Sequence, residues 1–289
     1  MNSILLIDKE PDWTSNDVVV KLKGILHERR IGHSGTLDPM ATGLLTVFVG
    51  RATRAVQFAE SDSKRYRASL RLGITTDTQD ITGTVLEQKD STVSHAELEA
   101  VLEHFRGEIE QIPPMYSAIQ IGGRRLYDIA RKGGTVERAA RPVTIHELNI
   151  AGREGEDWLL DVRCSKGTYI RTLCHDIGLA LGCGGCMSAL RRTQAGAFRV
   201  DDAITIGEAQ RLRDAGEIEQ RLLPVDTLFS REISCTASAQ EEKRIRCGNE
   251  YRTALPDGLY RVYGESGVFL MLGRAEGGAM KTIKNFFEV

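Results

Sequence analysis

Short apolar runs and polar–apolar alternations dominate this chain, interleaved with a few stretches of helical period. Ile4 to Ile7 is continuous and of strand length. Ser15-Asn16-Asp17 has the form of a helix cap, and Val18, Val19, Leu22, Ile25 and Leu26 then fall on one face, which predicts a helix to about Leu26. Ala41 to Phe48 reads as a buried apolar segment. Tyr66 to Leu72 and Thr84 to Gln88 alternate, which predicts antiparallel strands around the turn-rich stretch Thr75 to Gly83. Ser94-His95-Ala96-Glu97 is a capping box whose helix ends near Arg106-Gly107. Beyond the break at Pro113-Pro114, Arg125 to Lys132 reads as a short helix stopped by Gly133-Gly134. Pro142 to Ile150, Trp158 to Cys164 and Ala197 to Val200 read as strands. A helix runs from Gly167 to about Leu181, and Thr205-Ile206-Gly207-Glu208 caps another.

Strands and helices mix here without a regular βαβ repeat. The predicted fold class is therefore α+β: a mixed, largely antiparallel sheet with flanking helices, plus a small C-terminal β-rich domain. Leu223-Pro224-Val225-Asp226 looks like the end of a larger domain, residues 1–230. Residues 231–289 are Gly-rich and strand-like, with repeated turn signals.

At 289 residues the chain can bury a sizeable core in one large domain or two. No apolar run approaches the roughly 20 residues of a membrane span. The start lacks a basic segment and meets Asp8 too soon for a secretory signal, so a cytoplasmic location is expected. The net charge of −2 argues mildly against nucleic-acid binding, but such binding needs a basic face rather than a basic total. Basic clusters exist at Lys21, Lys23, Arg29 and Arg30, at Arg124, Arg125, Arg131 and Lys132, and at Arg191 and Arg192; each reads equally as a solvated face. Of the 6 cysteines only Cys183 and Cys186 form a C-x-x-C. A closed zinc site usually has two such pairs, so structural thiols are expected and no metal.

Candidate chemistry concentrates in Gly32-His33-Ser34-Gly35-Thr36-Leu37-Asp38-Pro39-Met40-Ala41-Thr42-Gly43. One carboxylate stands there among glycines, a histidine and hydroxyls. Taken alone, Asp38 before Pro39 has the form of a capped helix start. The wider run GHSGTLDPMATGLLTVFVGRATR, however, resembles the signature of the TruB family of pseudouridine synthases, enzymes that isomerise uridine 55 in the T loop of tRNA. Residues 8–19, 64–83, 106–133, 164–173 and 181–198 each look like that family's blocks, in its order.

The resemblance implies a reaction that breaks the N-glycosidic bond, turns the uracil and rejoins it through C5, with no metal or redox cofactor. It assigns Asp38 the essential carboxylate. Attack at C1′, addition at C6 and removal of the 2′-proton all need that carboxylate ionised, within about 3–3.5 Å of its target. It makes Arg171, in KGTYIRTL, the active-site arginine, whose guanidinium is expected to lower a neighbouring carboxylate pKa by about 1–3 units. Tyr66 becomes the tyrosine that stacks the base, and Tyr169 and Leu190 line the base pocket. His33 takes the space left by the extruded base. Residues 116–142 look like the insertion that grips the RNA hairpin, with Arg124, Arg125, Arg131, Lys132 and Arg141 as candidate phosphate contacts. The C-terminal domain resembles a PUA module.

The implied partner is the T arm of tRNA, bound by a monomer with no membrane and no obligate protein partner. One departure stands out: Lys9-Glu10-Pro11-Asp12-Trp13 places Glu10 and Asp12 where the family usually has Pro and Gly, which adds negative charge beside a presumed RNA surface. Three other readings compete: a non-catalytic RNA-binding protein, a guide-RNA-dependent relative acting on other RNAs, and a thiol or metal sensor at Cys183 and Cys186. Retention of Asp38, Tyr66 and Arg171 together argues against the first, and the gripping insertion fits a stand-alone enzyme better than the second.

Overall fold

The computed structural model describes residues 2–59, 63–117 and 119–287; within these, the side chains of Ile121 and Arg125 are not described. A ten-stranded mixed sheet forms the body. Its strands are β1 (Ser3–Lys9), β2 (Ile31–Ser34), β3 (Thr42–Val49), β4 (Lys64–Leu72), β5 (Gly107–Gln111), β6 (Arg141–Glu154), β7 (Asp157–Cys164), β8 (Gly185–Ala195), β9 (Phe198–Arg199) and β10 (Leu222–Pro224). They run in the order β10-β1-β3-β8-β4-β7-β6-β5, with β2 on β3 and β9 on β8. Every pairing is antiparallel except β3 with β8. The expected α+β class, largely antiparallel, is what forms.

Helix α1 (Ser15–Leu26) buries Val18, Val19, Leu22, Ile25 and Leu26, the predicted face, against β1, β3 and α4 (Ile206–Asp214). Its cap is Thr14, in a capping box closed by Asp17, one residue before the expected Ser15. Helices α2 (His95–Glu103) and α3 (Ile170–Ala180) cover the other half of the sheet, where Leu98, Leu102, Leu173 and Ile177 meet Ala68, Leu70, Leu160 and Val162. Among the described residues no helix is long and apolar enough to cross a membrane.

Two readings are corrected here. Asp38-Pro39 opens no helix: Pro39 and Met40 make a turn, and the apolar run that follows is β3, buried on both faces. Strand β8, which joins the two halves of the sheet, was not anticipated at all. Its bulges at Met187/Ala189 and Arg192/Gln194 break the alternation that marks a strand.

A second, five-stranded sheet follows from Ile233–Ala237, Tyr251–Arg252, Gly258–Gly264, Phe269–Glu276 and Ala279–Asn285, with helix α5 (Ala239–Arg246) beside it. An aromatic seam joins it to the body: Phe229 stands 5.4 Å from Phe58 and 5.8 Å from Phe286, ring centre to ring centre. Arg51 Nη1 donates to Phe287 O across the seam at 2.7 Å.

Candidate active site

Asp38 sits on the connection from β2 to β3, residues 35–41, which the surrounding chain ties down along its length. The Leu37 amide donates to Ser15 Oγ at 2.9 Å, and that hydroxyl contacts Leu37 O at 3.2 Å. Ala41 N donates to Asp38 O at 3.0 Å. Pro39 O accepts from Asp12 N at 2.9 Å and from Lys9 Nζ at 3.0 Å. Lys9 also donates to Trp13 O at 2.7 Å and Glu10 O at 2.9 Å. The departure at residues 9–13 thus has a role in the fold, with Asp12 in the left-handed region (φ 66°) so that its amide reaches Pro39. Burial lowers the Lys9 pKa to about 8, while Asp38 and Asp12 pull it back up.

Arg171 lies in the first turn of α3, with its side chain 6% exposed against 36% for Asp38. The carboxylate is therefore the exposed member of the pair and the guanidinium is buried behind it. Nε stands 3.0 Å from Asp38 Oδ2, and Nη2 stands 3.4 Å from Oδ1. On its other side, Nη1 is 3.5 Å from Asp80 Oδ2 and donates to Thr78 O at 3.2 Å, while Nη2 donates to Tyr116 O at 2.8 Å. Asp80 is buried, and its Oδ1 accepts from Thr82 N at 3.0 Å and from the hydroxyls of Thr78 and Thr82 at 2.9 and 2.5 Å. One guanidinium thus spans two carboxylates.

The expected lowering of the Asp38 pKa is reversed. Burial raises it, Asp80 adds to the rise, and Arg171 and Lys9 only offset part of it.

Tyr66 lies in β4, opposite Val162 on one side and Arg192 on the other, and packs in the cluster that holds Leu37, Ala41 and Leu190. Burial raises its pKa, against the pull of Arg192. His33 lies in β2, and its Nδ1 is buried with no hydrogen-bond partner among the described residues. Burial, then Arg192, lowers its pKa, so the ring is neutral near pH 7. Tyr169 stands just before α3, its backbone N and O clasped by the Gln111 carboxamide at 3.0 and 3.2 Å. Leu190 is buried in β8.

The structure thus brings Arg171 onto Asp38 and packs Tyr66 and Leu190 in the buried cluster that holds Leu37 and Ala41, on either side of Asp38. Sequence reasoning did not single out Asp80 or Gln111, and met Lys9 only as part of the departure at residues 9–13. It also read Arg192 as half of a surface pair, whereas the side chain is 1% exposed. Arg191 does lie outside, paired with Asp8 at 2.7 Å.

Residues 120–125 form a two-stranded turn and Leu126–Ala130 a short helix, leaving Arg124, Arg131, Lys132 and Arg141 exposed. Arg125, predicted beside them, has a side chain outside those described. Cys183 donates to Gly184 O at 3.4 Å, Cys186 is buried, and among the described residues no three His, Cys, Asp or Glu side chains converge on a metal site.

In fold the chain is of the RNA pseudouridylate synthase class. It superimposes on a chain of an H/ACA ribonucleoprotein bound to a substrate RNA containing 2′-deoxyuridine, with TM-score 0.75, 25% identity, and 99% of this chain and 85% of the other covered. A Cbf5-Nop10-Gar1 complex matches similarly, with TM-score 0.74, 26% identity, and the same coverage, 99% and 85%. The chain belongs to the TruB family: the model of the TruB family pseudouridylate synthase N-terminal domain matches residues 23–170, and that of the tRNA pseudouridylate synthase B C-terminal domain matches residues 171–230. Curated relatives include the tRNA pseudouridine synthase B of Alkaliphilus oremlandii, 46% identical over 92% of this chain and 88% of the relative. That of Escherichia coli K12 is 39% identical, with 96% and 92% covered.

Proposed function

We propose that this chain converts uridine 55 in the T loop of tRNA to pseudouridine, with Asp38 as the essential carboxylate. Family membership supports the reaction and the tRNA substrate. The observation that carries the site is the Asp38–Arg171 pair, 3.0 Å apart, beside the cluster in which Tyr66 and Leu190 pack.

A uridine stacked in a folded loop cannot reach this site, so it is extruded, and its base stacks on Tyr66. The Asp38 carboxylate then acts on the sugar or the ring. The N1–C1′ bond breaks, the uracil turns, the C5–C1′ bond forms, and the C5 proton leaves while N1 gains one. The product is an isomer of the substrate, so neither oxidant nor reductant enters. Arg171 orients the carboxylate through its fork of donors. His33, whose Nδ1 has no hydrogen-bond partner among the described residues, fills the gap in the tRNA, while Arg124, Arg125, Arg131, Lys132 and Arg141 hold phosphates. Residues 231–289 serve as a PUA-like RNA-binding module. The enzyme acts as a monomer in the cytoplasm without a protein partner.

The test is pseudouridine mapping of unmodified tRNA. One new pseudouridine in the T loop is the expected result. Tight hairpin binding without product overturns the assignment and favours a non-catalytic RNA-binding protein.

A further inference from the structure

We propose that Arg192 is a positioning residue for this reaction, because its guanidinium clamps both ends of the loop carrying Asp38 from a position directly opposite Tyr66. The inference rests on the reading of Asp38 and Tyr66 given above.

Arg192 lies on β8, directly opposite Tyr66 on β4 and beside Gly43 on β3. Its Nε donates to Leu44 O at 2.7 Å and its Nη2 to Gly35 O at 2.9 Å. Gly35 leads into the Asp38 loop and Leu44 follows it, so one planar group fixes the separation of the loop's two ends. A fork of rigidly placed donors suits this task; the single ammonium of a lysine cannot span both carbonyls in the same way.

Two glycines make room for the clamp. At Gly35 (φ 67°) an added Cβ would stand 3.1 Å from Arg192 Nη1. At Gly43 (φ 97°) it would stand 2.3 Å from Arg192 O. The same residue stands directly opposite Tyr66 across the β8–β4 pair. Burying a cation at this depth is costly unless its donors are satisfied. Here they point at the carbonyls of Gly35 and Leu44. Arg171 orients the carboxylate itself; Arg192 holds the loop that carries it in place beside the strand that carries Tyr66.

The experiment compares wild type, Arg192→Lys, Arg192→Gln and Gly35→Ala in single-turnover pseudouridine formation on unmodified tRNA. Dissociation constants and thermal unfolding are measured on the same samples. Displacement of reacting groups by about 1 Å can cost on the order of 100-fold, so rates should fall about 10- to 100-fold while tRNA affinity stays near wild type. Gly35→Ala leaves no buried void and crowds Nη1, so it decides the matter if the Arg192 variants unfold. A loss in Arg192→Lys that shrinks in a Tyr66→Phe background shows coupling between these cross-strand partners, which a general loss of stability would not produce. Wild-type rates in Arg192→Lys and Gly35→Ala, or a defect confined to tRNA binding, overturn the proposal. A wild-type enzyme that forms no pseudouridine overturns instead the functional reading on which it rests.

Discussion

The ammonium of Lys9 holds the carbonyl of Pro39 at 3.0 Å, which ties the end of the first strand to the residue after Asp38. Lys9→Met keeps the stem's volume but leaves Pro39 O, Trp13 O and Glu10 O without this donor. A destabilisation of about 1–3 kcal/mol is expected, with a slower turnover. The pH dependence has a definite sign. The unfolded lysine titrates near 10.5 and the folded one near 8, so between these values the unfolded chain binds more protons. Stability of the wild type relative to Lys9→Met therefore rises with pH through that window. Denaturant unfolding of both proteins from pH 7 to 10 checks it, and a flat difference contradicts it.

Gly43 marks where β3 meets β8. Gly43→Ala drives a methyl into the Arg192 backbone and forces an alanine to φ 97°, so a loss of roughly 2–4 kcal/mol is expected. Gly155 (φ 58°) has open space around it, and Gly155→Ala should cost about 1–2 kcal/mol. Equal melting temperatures for the two variants would refute the close approach.

Arg131 and Lys132 stand exposed on the insertion, where sequence placed RNA contacts. Removing either charge should weaken tRNA binding and reduce the slope of log K against log salt by about one per lost phosphate contact. Turnover at saturating tRNA should not change. An unchanged salt slope would remove the insertion from the binding face.

Asp38 titrates above an ordinary carboxylate because burial disfavours its charge. Between the ordinary value of 3.8 and the raised one, the folded state binds more protons, so stability falls as pH rises through that window. At neutral pH the ionised carboxylate is a net cost to the fold. Asp38→Asn should therefore melt no lower than wild type at pH 7, which differential scanning calorimetry measures. A clear drop in melting temperature would mean that the carboxylate holds the loop together rather than serving chemistry.

The helix α1 face was legible because five apolar residues repeat at helical spacing, and β4 because it alternates. Strand β3 was not separable from a buried helix by its pattern, since it is buried on both sides. Asp38 and Arg171 are 133 residues apart, and only the resemblance to known blocks brought them together. The burial of Lys9 and Arg192 went unseen for a different reason. A basic residue in sequence reads as solvated, and what buries these two is a set of backbone carbonyls, which leave no trace in side-chain chemistry. Arg192 reaches Leu44 O across 148 residues of chain.

The most direct test of the central claim is to measure pseudouridine formation and tRNA affinity together for Asp38→Asn. The account predicts no detectable pseudouridine, with a dissociation constant close to that of the wild type. Substantial pseudouridine from the variant would contradict the essential role of Asp38.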